Sequence, residues 1–274
     1  MIYEPPKIRP LGDCYLGVEF GDEGHLPLSF RVLALADLLA REAIDGVLEI
    51  VPTLRQLGVV LDGEAAAAES VRERIEALLP SVAAPKSVPS RLIRIPVWYD
   101  DPWGAAIAER YAVPRNIDFV AGLNGMTVAE LIASHCSTDY WVACVGFAPG
   151  CYFSCPMDRS KSLIAPKYET PRDYTPARMI STAGIFSCAY PVASPGGYQL
   201  LGRMAVNIYE PTPKNAAFGE DGVLFRAGDR LRYYPVDALE YDTIWEAVQE
   251  GEYEYDITAE VFDVDAYLAS AAGS

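Results

Sequence analysis

The sequence predicts an α+β chain of two units, a strand–helix–strand–strand–helix layer followed by a barrel or sandwich of short strands. Three observations carry this reading. Before Pro80, alternating apolar runs are interleaved with two stretches whose apolar residues recur at helical spacing. Ser81 to Ser90, SVAAPKSVPS, is rich in Pro, Ser and Ala and has no periodicity, which marks a connector. From Tyr140 to Tyr234, short apolar runs alternate with Gly and Pro clusters, the pattern of a many-stranded β structure.

Within the first unit, Tyr15 to Phe20 alternates as a strand and is ended by Gly21-Asp22. Leu28 to Ala43 places Phe30, Leu33, Ala34, Leu38 and Leu39 on one helical face, and Val47 to Val51 and Leu57 to Leu61 read as two further strands. Ala65 to Leu79 is a second amphipathic helix, stopped by Pro80. With Leu92 to Val97 as closing strand, this order is the ferredoxin-like plan, and the expected division is 1–87 and 88–274. In the second unit, Trp103 to Tyr111 and Thr127 to Ser134 read as short helices, the latter opened by a Thr127–Glu130 capping box. Expected strands are Trp141 to Val145, Ile180 to Ala183, Gln199 to Leu201, Ala205 to Tyr209 and Arg230 to Tyr234, with a helix around Thr243 to Glu250 in the acidic tail.

Charge narrows the function classes. With 22 Lys and Arg against 38 Asp and Glu, the net charge of -16 repels phosphate backbones and anionic lipid, so no nucleic-acid or membrane-surface role is expected. No run of apolar residues is long enough to span a bilayer, and no leader pattern opens the chain, so a cytoplasmic location is expected. The six cysteines read as buried thiols, because no second closely spaced pair joins Cys151 and Cys155 to make a zinc site. No metal is expected.

The richest run is Tyr190 to Met204, YPVASPGGYQLLGRM. Pro195-Gly196-Gly197 reads as a turn in which the glycines adopt positive φ and let the backbone approach a ligand. Gln199 and Arg203 follow on a strand, both able to orient a carboxylate or amide. Lys167 and Arg172, in a Pro-containing segment, offer charge-assisted hydrogen bonds to an anion. His135 closes a helix, where the macrodipole favours its protonated form. His25 sits in a Gly-containing turn and has no expected role.

The run resembles the signature of a family that takes in allophanate hydrolase subunit 1, one of the subunits of ATP-dependent 5-oxoprolinase, half of the carboxyltransferase domain of urea carboxylase, and an inhibitor of a sporulation kinase. Gly12-Asp13, Glu49 to Pro52 with Arg55, Gly146 to Gly150 (GFAPG) and Ala227 to Leu231 are similar in the same order. The segment Pro89 to Gly125, Pro156-Met157-Asp158, Tyr174-Thr175-Pro176 and Tyr198 after the glycine pair point to the urea carboxylase branch, whereas GFAPG and His135 look more like the oxoprolinase branch. Ser181 and Ala183 stand where the family runs through glycines, and Met204 where it has Thr, which bears on substrate choice.

The resemblance implies a ferredoxin-like unit followed by a cyclophilin-like β-barrel, and a site formed where two related barrels meet, so a homologous second half of the allophanate hydrolase subunit 2 type is the expected partner. The implied reaction moves a carboxyl group from biotin, carried on another chain, to a small nitrogenous substrate of the urea or guanidine type. His135, Lys167, Gln199 and Arg203 are then the candidate catalytic residues, and Arg172, Tyr190, Ser194, Gly196, Gly197 and Tyr198 the candidate substrate-binding residues. The alternatives are a subunit of an ATP-dependent lactam hydrolase and a non-catalytic regulator that binds a kinase.

Overall fold

The computed structural model describes residues 1–63 and 65–271. They form two compact units, the first comprising Met1–Ser90 and the segment that begins at Val261, the second Arg91–Glu260. The expected boundary at 87/88 thus moves to 90/91, and the C-terminal segment, assigned from sequence to the second unit, belongs to the first.

The first unit opens with β1 (Ile2–Pro10), followed by β2 (Tyr15–Gly21), α1 (Leu26–Glu42), β3 (Val47–Pro52), β4 (Gln56–Leu61) and α2 (Ala65–Leu78). Its four strands form an antiparallel sheet in the order β1-β2-β4-β3. Period-two alternation buries Leu57, Val59 and Leu61 of β4, and α1 buries Leu28, Val32, Leu35 and Leu39 along one stripe. Val71 and Ile75 of α2 complete this core. The sheet place beside β2, which the sequence reading gave to Leu92–Val97, is filled by β1. Leu92–Val97 lies instead within β5 (Ser87–Tyr99), whose run of apolar residues is buried in the second unit.

The second unit continues with α3 (Pro102–Arg110), α4 (Asn116–Leu123), α5 (Val128–Cys136), β6 (Tyr140–Val145), β7 (Tyr152–Pro156), β8 (Arg172–Thr175), β9 (Met179–Ala183), β10 (Phe186–Tyr190), β11 (Ser194–Gly196), β12 (Gln199–Met204), β13 (Arg230–Pro235), α6 (Ala238–Glu250) and the start of β14 (Ile257–Asp263), whose residues from Val261 onward belong with α7 (Val264–Ala271) to the first unit. Strands β12-β9-β10-β7-β6-β13-β5 run side by side, and a further β12–β5 pairing closes them into a seven-stranded barrel. β5 and β13 are parallel; β12 pairs antiparallel to β5, in the register Gly202↔Tyr99, Arg203↔Trp98 and Met204↔Val97. A Cβ on Gly202 would lie 2.7 Å from Trp98 O and 2.9 Å from Tyr99 Cα, so glycine is what allows the two strands to meet. Ile93, Ile95, Val142, Ile180, Leu201 and Leu231 fill the interior.

The capping box at Thr127 is present, and residues 205–209 depart from expectation, being irregular apart from one Tyr209↔Val223 bridge. Asp229, in the segment Ala227 to Leu231, is buried and takes two bonds from Arg91, at 2.9 and 2.5 Å, which anchors β5 beside β13. Among the described residues no single helix is long and apolar enough to cross a membrane; α4 and α5 pass that test only as a pair bent by 84°, and Val120 and Leu131 within them are buried in the barrel core.

The Pro195-Gly196-Gly197 segment differs from the expected strained turn. Neither glycine has positive φ. Gly196 ends β11, which pairs with β8 through Gly196↔Arg172, and a Cβ there would sit 2.1 Å from the Tyr190 hydroxyl oxygen. At Gly197 the nearest atom to an added Cβ is 3.7 Å away. Gly196 therefore serves close packing and Gly197 tolerates a methyl group. Gly196→Ala is expected to lower stability by about 1–3 kcal/mol through overpacking, and Gly197→Ala by much less, in paired thermal melts. Equal effects at the two positions would contradict the packing assigned to Tyr190.

Candidate functional site

Under the Gly196-Gly197 segment lies a cavity of about 310 Å³ on the second unit. Gly196, Gly197 and Tyr198 form one wall and Lys167 and Tyr168 another. Phe153, Cys151, Cys188 and Tyr190 complete the lining, with Phe147. Phe147 is 72% exposed and holds φ at +73°, a conformation that a bulky residue adopts only when its surroundings impose it. It stands in the GFAPG run, whose Gly150 has φ +76° with no room for a Cβ beside Tyr209.

The outward-facing register explains the sulfur-rich lining. Ser181, Cys188 and Phe153 lie opposite one another across β9, β10 and β7, and Cys144 is opposite Phe153 on β6. Their sequence neighbours Ile180, Ala189 and Tyr152 belong to the barrel core and Val145 packs against it, so this row faces away from it. Cys188 Sγ lies 3.2 Å from Ser181 Oγ. The Cys151 thiol is pushed far up by its hydrogen bond with Cys188 and by burial, and burial raises Cys144 to about 11, so these sulfurs are neutral thiols and not nucleophilic thiolates. All six cysteines are free, and among the described residues no three His, Cys, Asp or Glu side chains converge to hold a metal ion.

Five of the ten candidate residues, Lys167, Tyr190, Gly196, Gly197 and Tyr198, meet at this cavity. Lys167 is exposed and carries its ammonium 5.0 Å over the Tyr198 ring. Burial raises the Tyr190 phenol to about 12 and the Tyr198 phenol further, so both are protonated donors at neutral pH. Two more candidates act from behind. Arg172 is buried, donates to Tyr198 O at 2.8 Å and to Thr175 Oγ1 at 3.3 Å, and lies 4.8 Å over the Tyr168 ring. Gln199 donates to Pro166 O at 2.9 Å, and Tyr168 N–H to Gly197 O at 2.8 Å, which fixes the Lys167 segment against the glycine wall. Ser194 pairs with Thr175 one strand step away, its hydroxyl buried and outside the lining.

Arg203 and His135 do not join this group. Arg203 donates to Ala177 O at 3.1 Å and stacks 4.0 Å over Trp103, so its expected reach toward the glycine segment is corrected. His135 is buried among Tyr99, Tyr140 and Tyr233, and burial pushes it down to about 3, which overturns the expected protonated helix-end histidine. Desolvation outweighs the macrodipole here. Of the unusual residues, Ser181 touches the lining through Cys188, whereas Met204 is buried in the barrel core. Sequence reasoning missed Phe147, Phe153, Tyr168, Cys151 and Cys188, although GFAPG offered a signal for the first.

The depressed His135 value has a definite sign. The unfolded imidazole binds a proton near its ordinary value of 6.5 and the folded one only near 3, so this group's stabilisation is complete above 6.5 and is lost as pH falls toward 3. The loss is expected at up to about 1.4 kcal/mol per pH unit. In NMR, the His135 ring should keep its neutral-form shifts at pH 5 while stability declines; ring titration near 6.5 would contradict the burial.

The chain is similar in sequence and fold to several known proteins. Urea amidolyase of Saccharomyces cerevisiae is 28% identical over 96% of this chain, which corresponds to 15% of the yeast protein. A 5-oxoprolinase subunit of Bacillus subtilis is 29% identical over 86% of this chain and 95% of its own length. The crystal structure of urea amidolyase from K. lactis superposes with a TM-score of 0.88 at 25% identity, over 98% of this chain and 17% of that one. This chain therefore spans a small part of the amidolyases and nearly all of the bacterial protein, and both kinds of relative belong to larger assemblies, as one segment of a long chain or as a named subunit. Residues 6–218 match the family described as carboxyltransferase domain, subdomain C and D, and the chain belongs to that family.

Proposed function

We propose that this chain is one half of a biotin-dependent carboxyltransferase acting on a urea- or guanidine-type nitrogen, completed by a homologous second half on a partner. The observation that supports this most is the cavity itself. Its lining is carbon-rich and aromatic, with main chain exposed at Gly196 and Gly197 and one cation, Lys167. A flat, neutral ring with a polar carbonyl fits such a lining, as the ureido ring of biotin does. The N-terminal unit, with β1 in the fourth sheet place, reads as a variant of the ferredoxin-like plan.

Carboxybiotin, carried on another chain, supplies the carboxyl group when bound. The residues of this chain bind and orient. The Lys167 ammonium stabilises negative charge that develops on the transferred carboxylate or on the ureido oxygen. Tyr198 and Tyr190 present ring faces and protonated hydroxyls, and the buried Arg172 and Gln199 keep the two walls at a fixed separation. The neutral Cys151 thiol beneath helps exclude water without competing as a nucleophile. A second reading, a lactam-hydrolase subunit, is favoured by the match to almost the whole length of the 5-oxoprolinase subunit from Bacillus subtilis.

The test is reconstitution with a second half, a biotin carboxylase and a biotin carrier, with ATP-dependent carboxylation followed for urea and guanidine and ATP-dependent ring opening followed for 5-oxoproline. Activity on urea or guanidine is expected from the mixture and none from the chain alone. Lys167→Met should lower turnover by about one to two orders of magnitude, the equivalent of about 1.5–3 kcal/mol, with an unchanged melting temperature because the side chain is exposed. Full turnover in Lys167→Met removes the lysine from the mechanism, and turnover of 5-oxoproline alone selects the second reading.

A further inference from the structure

Inside the barrel the tautomer of His135 is fixed by its neighbours. Tyr99 OH lies 2.7 Å from His135 Nδ1 and accepts from the Cys136 thiol at 3.4 Å. Burial keeps the Tyr99 phenol protonated, so its one proton goes to Nδ1, and the neutral imidazole carries its hydrogen on Nε2. The ring stacks on Tyr233 at 4.5 Å and 25°, with Tyr140 at 5.0 Å, and is not free to rotate toward another acceptor. His135 is 1% exposed, yet Nε2 has no hydrogen-bond partner. A buried donor left in this state costs about 1–3 kcal/mol, so the site calls for an acceptor.

His135 is also part of the lining of a crevice separate from the cavity at the glycine segment. Its lining includes the hydroxyl residues Ser162, Thr182 and Ser187, and Lys161 as its one cation; it contains no Asp or Glu. Ser187 Oγ is 3.1 Å from Tyr233 OH, which is 2.7 Å from Tyr152 OH, so a chain of hydroxyls reaches the crevice from the barrel interior. The enclosed part has a volume of about 10 Å³, room for one water-sized oxygen, and the remainder opens outward. On a chain of net charge -16, a lining with a cation, a fixed N–H donor, hydroxyls and no carboxylate is selective for a small electron-rich ligand.

We propose that this crevice binds a one-carbon oxyanion, formate or bicarbonate, with one oxygen accepting from His135 Nε2–H in the enclosed end and the other directed to Lys161 at the open end. The neutral imidazole suits this role because it donates without a buried charge that would need compensation, and the lysine supplies the countercharge where solvent reaches it. Bicarbonate brings one hydroxyl more than formate, for which Ser187 and Thr182 offer acceptors.

The chain has two histidines, His25 and His135, which makes the test direct. The full chain with ¹⁵N-labelled histidine is titrated with sodium formate and, separately, with sodium bicarbonate, against sodium chloride at matched ionic strength. A saturable shift of His135 Nε2, with His25 unmoved, is expected for at least one anion, and the responding anion identifies the ligand. Lys161→Met should weaken that titration about tenfold, the cost of one charge-assisted contact. If His135 responds no more than in chloride, the crevice holds water alone and the proposal fails. It also fails if His25 and His135 shift together, or if Lys161→Met binds as well as the parent protein.

Discussion

Everything in the second unit depends on the pairing of β12 with β5. This pairing converts a row of seven strands into a closed barrel, and it rests on Gly202, whose missing side chain allows the β5 backbone to approach within a distance that no Cβ permits. Closure removes the open strand edges and gives β12 two partners, β9 and β5, so the segment leading into it is held from both sides. Gly196, Gly197 and Tyr198 precede that strand directly. The wall of the cavity is thus an extension of the barrel seam, tied further by Leu200 N–H to Asn116 Oδ1 at 2.9 Å and by Asn116 Nδ2 to Tyr168 OH.

The two faces of this barrel differ in composition but hold their polar groups by similar means. Outside, a row of small and sulfur side chains leaves space beneath aromatic walls, with the cation of the lining exposed. Inside, tyrosines and a neutral histidine replace part of the aliphatic core, and nearly every hydroxyl there finds a partner, as in Tyr152 to Tyr233 to Ser187. In both places burial keeps the titratable groups neutral: thiols and phenols are raised and the imidazole is lowered, each by desolvation or by the bond to its neighbour. A low-charge setting of this kind suits orientation and hydrogen bonding better than proton abstraction.

Much of the architecture was legible in the residues. Helical spacing at Leu28 to Ala43 located the helix but not its face, since Leu28, Val32, Leu35 and Leu39 are buried and the expected Leu33, Ala34 and Leu38 are not; alternation at Leu57 to Leu61 and the Thr127 capping box report local geometry that tertiary structure preserves. β1 was not read because IYEPPKIRP carries three prolines and little alternation; its place beside β2 is a tertiary choice. Ala205 to Tyr209 looked like a strand but runs irregularly, since its apolar residues are buried by the barrel core without a ladder. For the site, the glycine signature and Lys167 were found because they are contiguous with recognisable sequence. Phe153 and Cys188 were not, because cross-strand register brings them together and no local pattern encodes it; Cys151 and Tyr168 were not, although they adjoin Gly150 and Lys167, because adjacency in sequence does not tell which side chains face the cavity. The reach of Arg203 and the charge of His135 were misjudged for one reason: a side chain's direction and desolvation are set by the packed neighbours, Trp103 in one case and three tyrosines in the other.

The central claim, that barrel closure at Gly202 holds the cavity wall in place, is tested most directly by native-state hydrogen exchange on Gly202→Ala. The added methyl group displaces the seam, so the Ala205 amide, bonded to Pro96 O at 3.0 Å, should lose protection. The account predicts that the Tyr168 amide on Gly197 O and the Leu200 amide on Asn116 lose protection with it, by a comparable factor. Loss confined to the seam, with Tyr168 and Leu200 protected as in the parent chain, would show that the cavity stands independently of the closure.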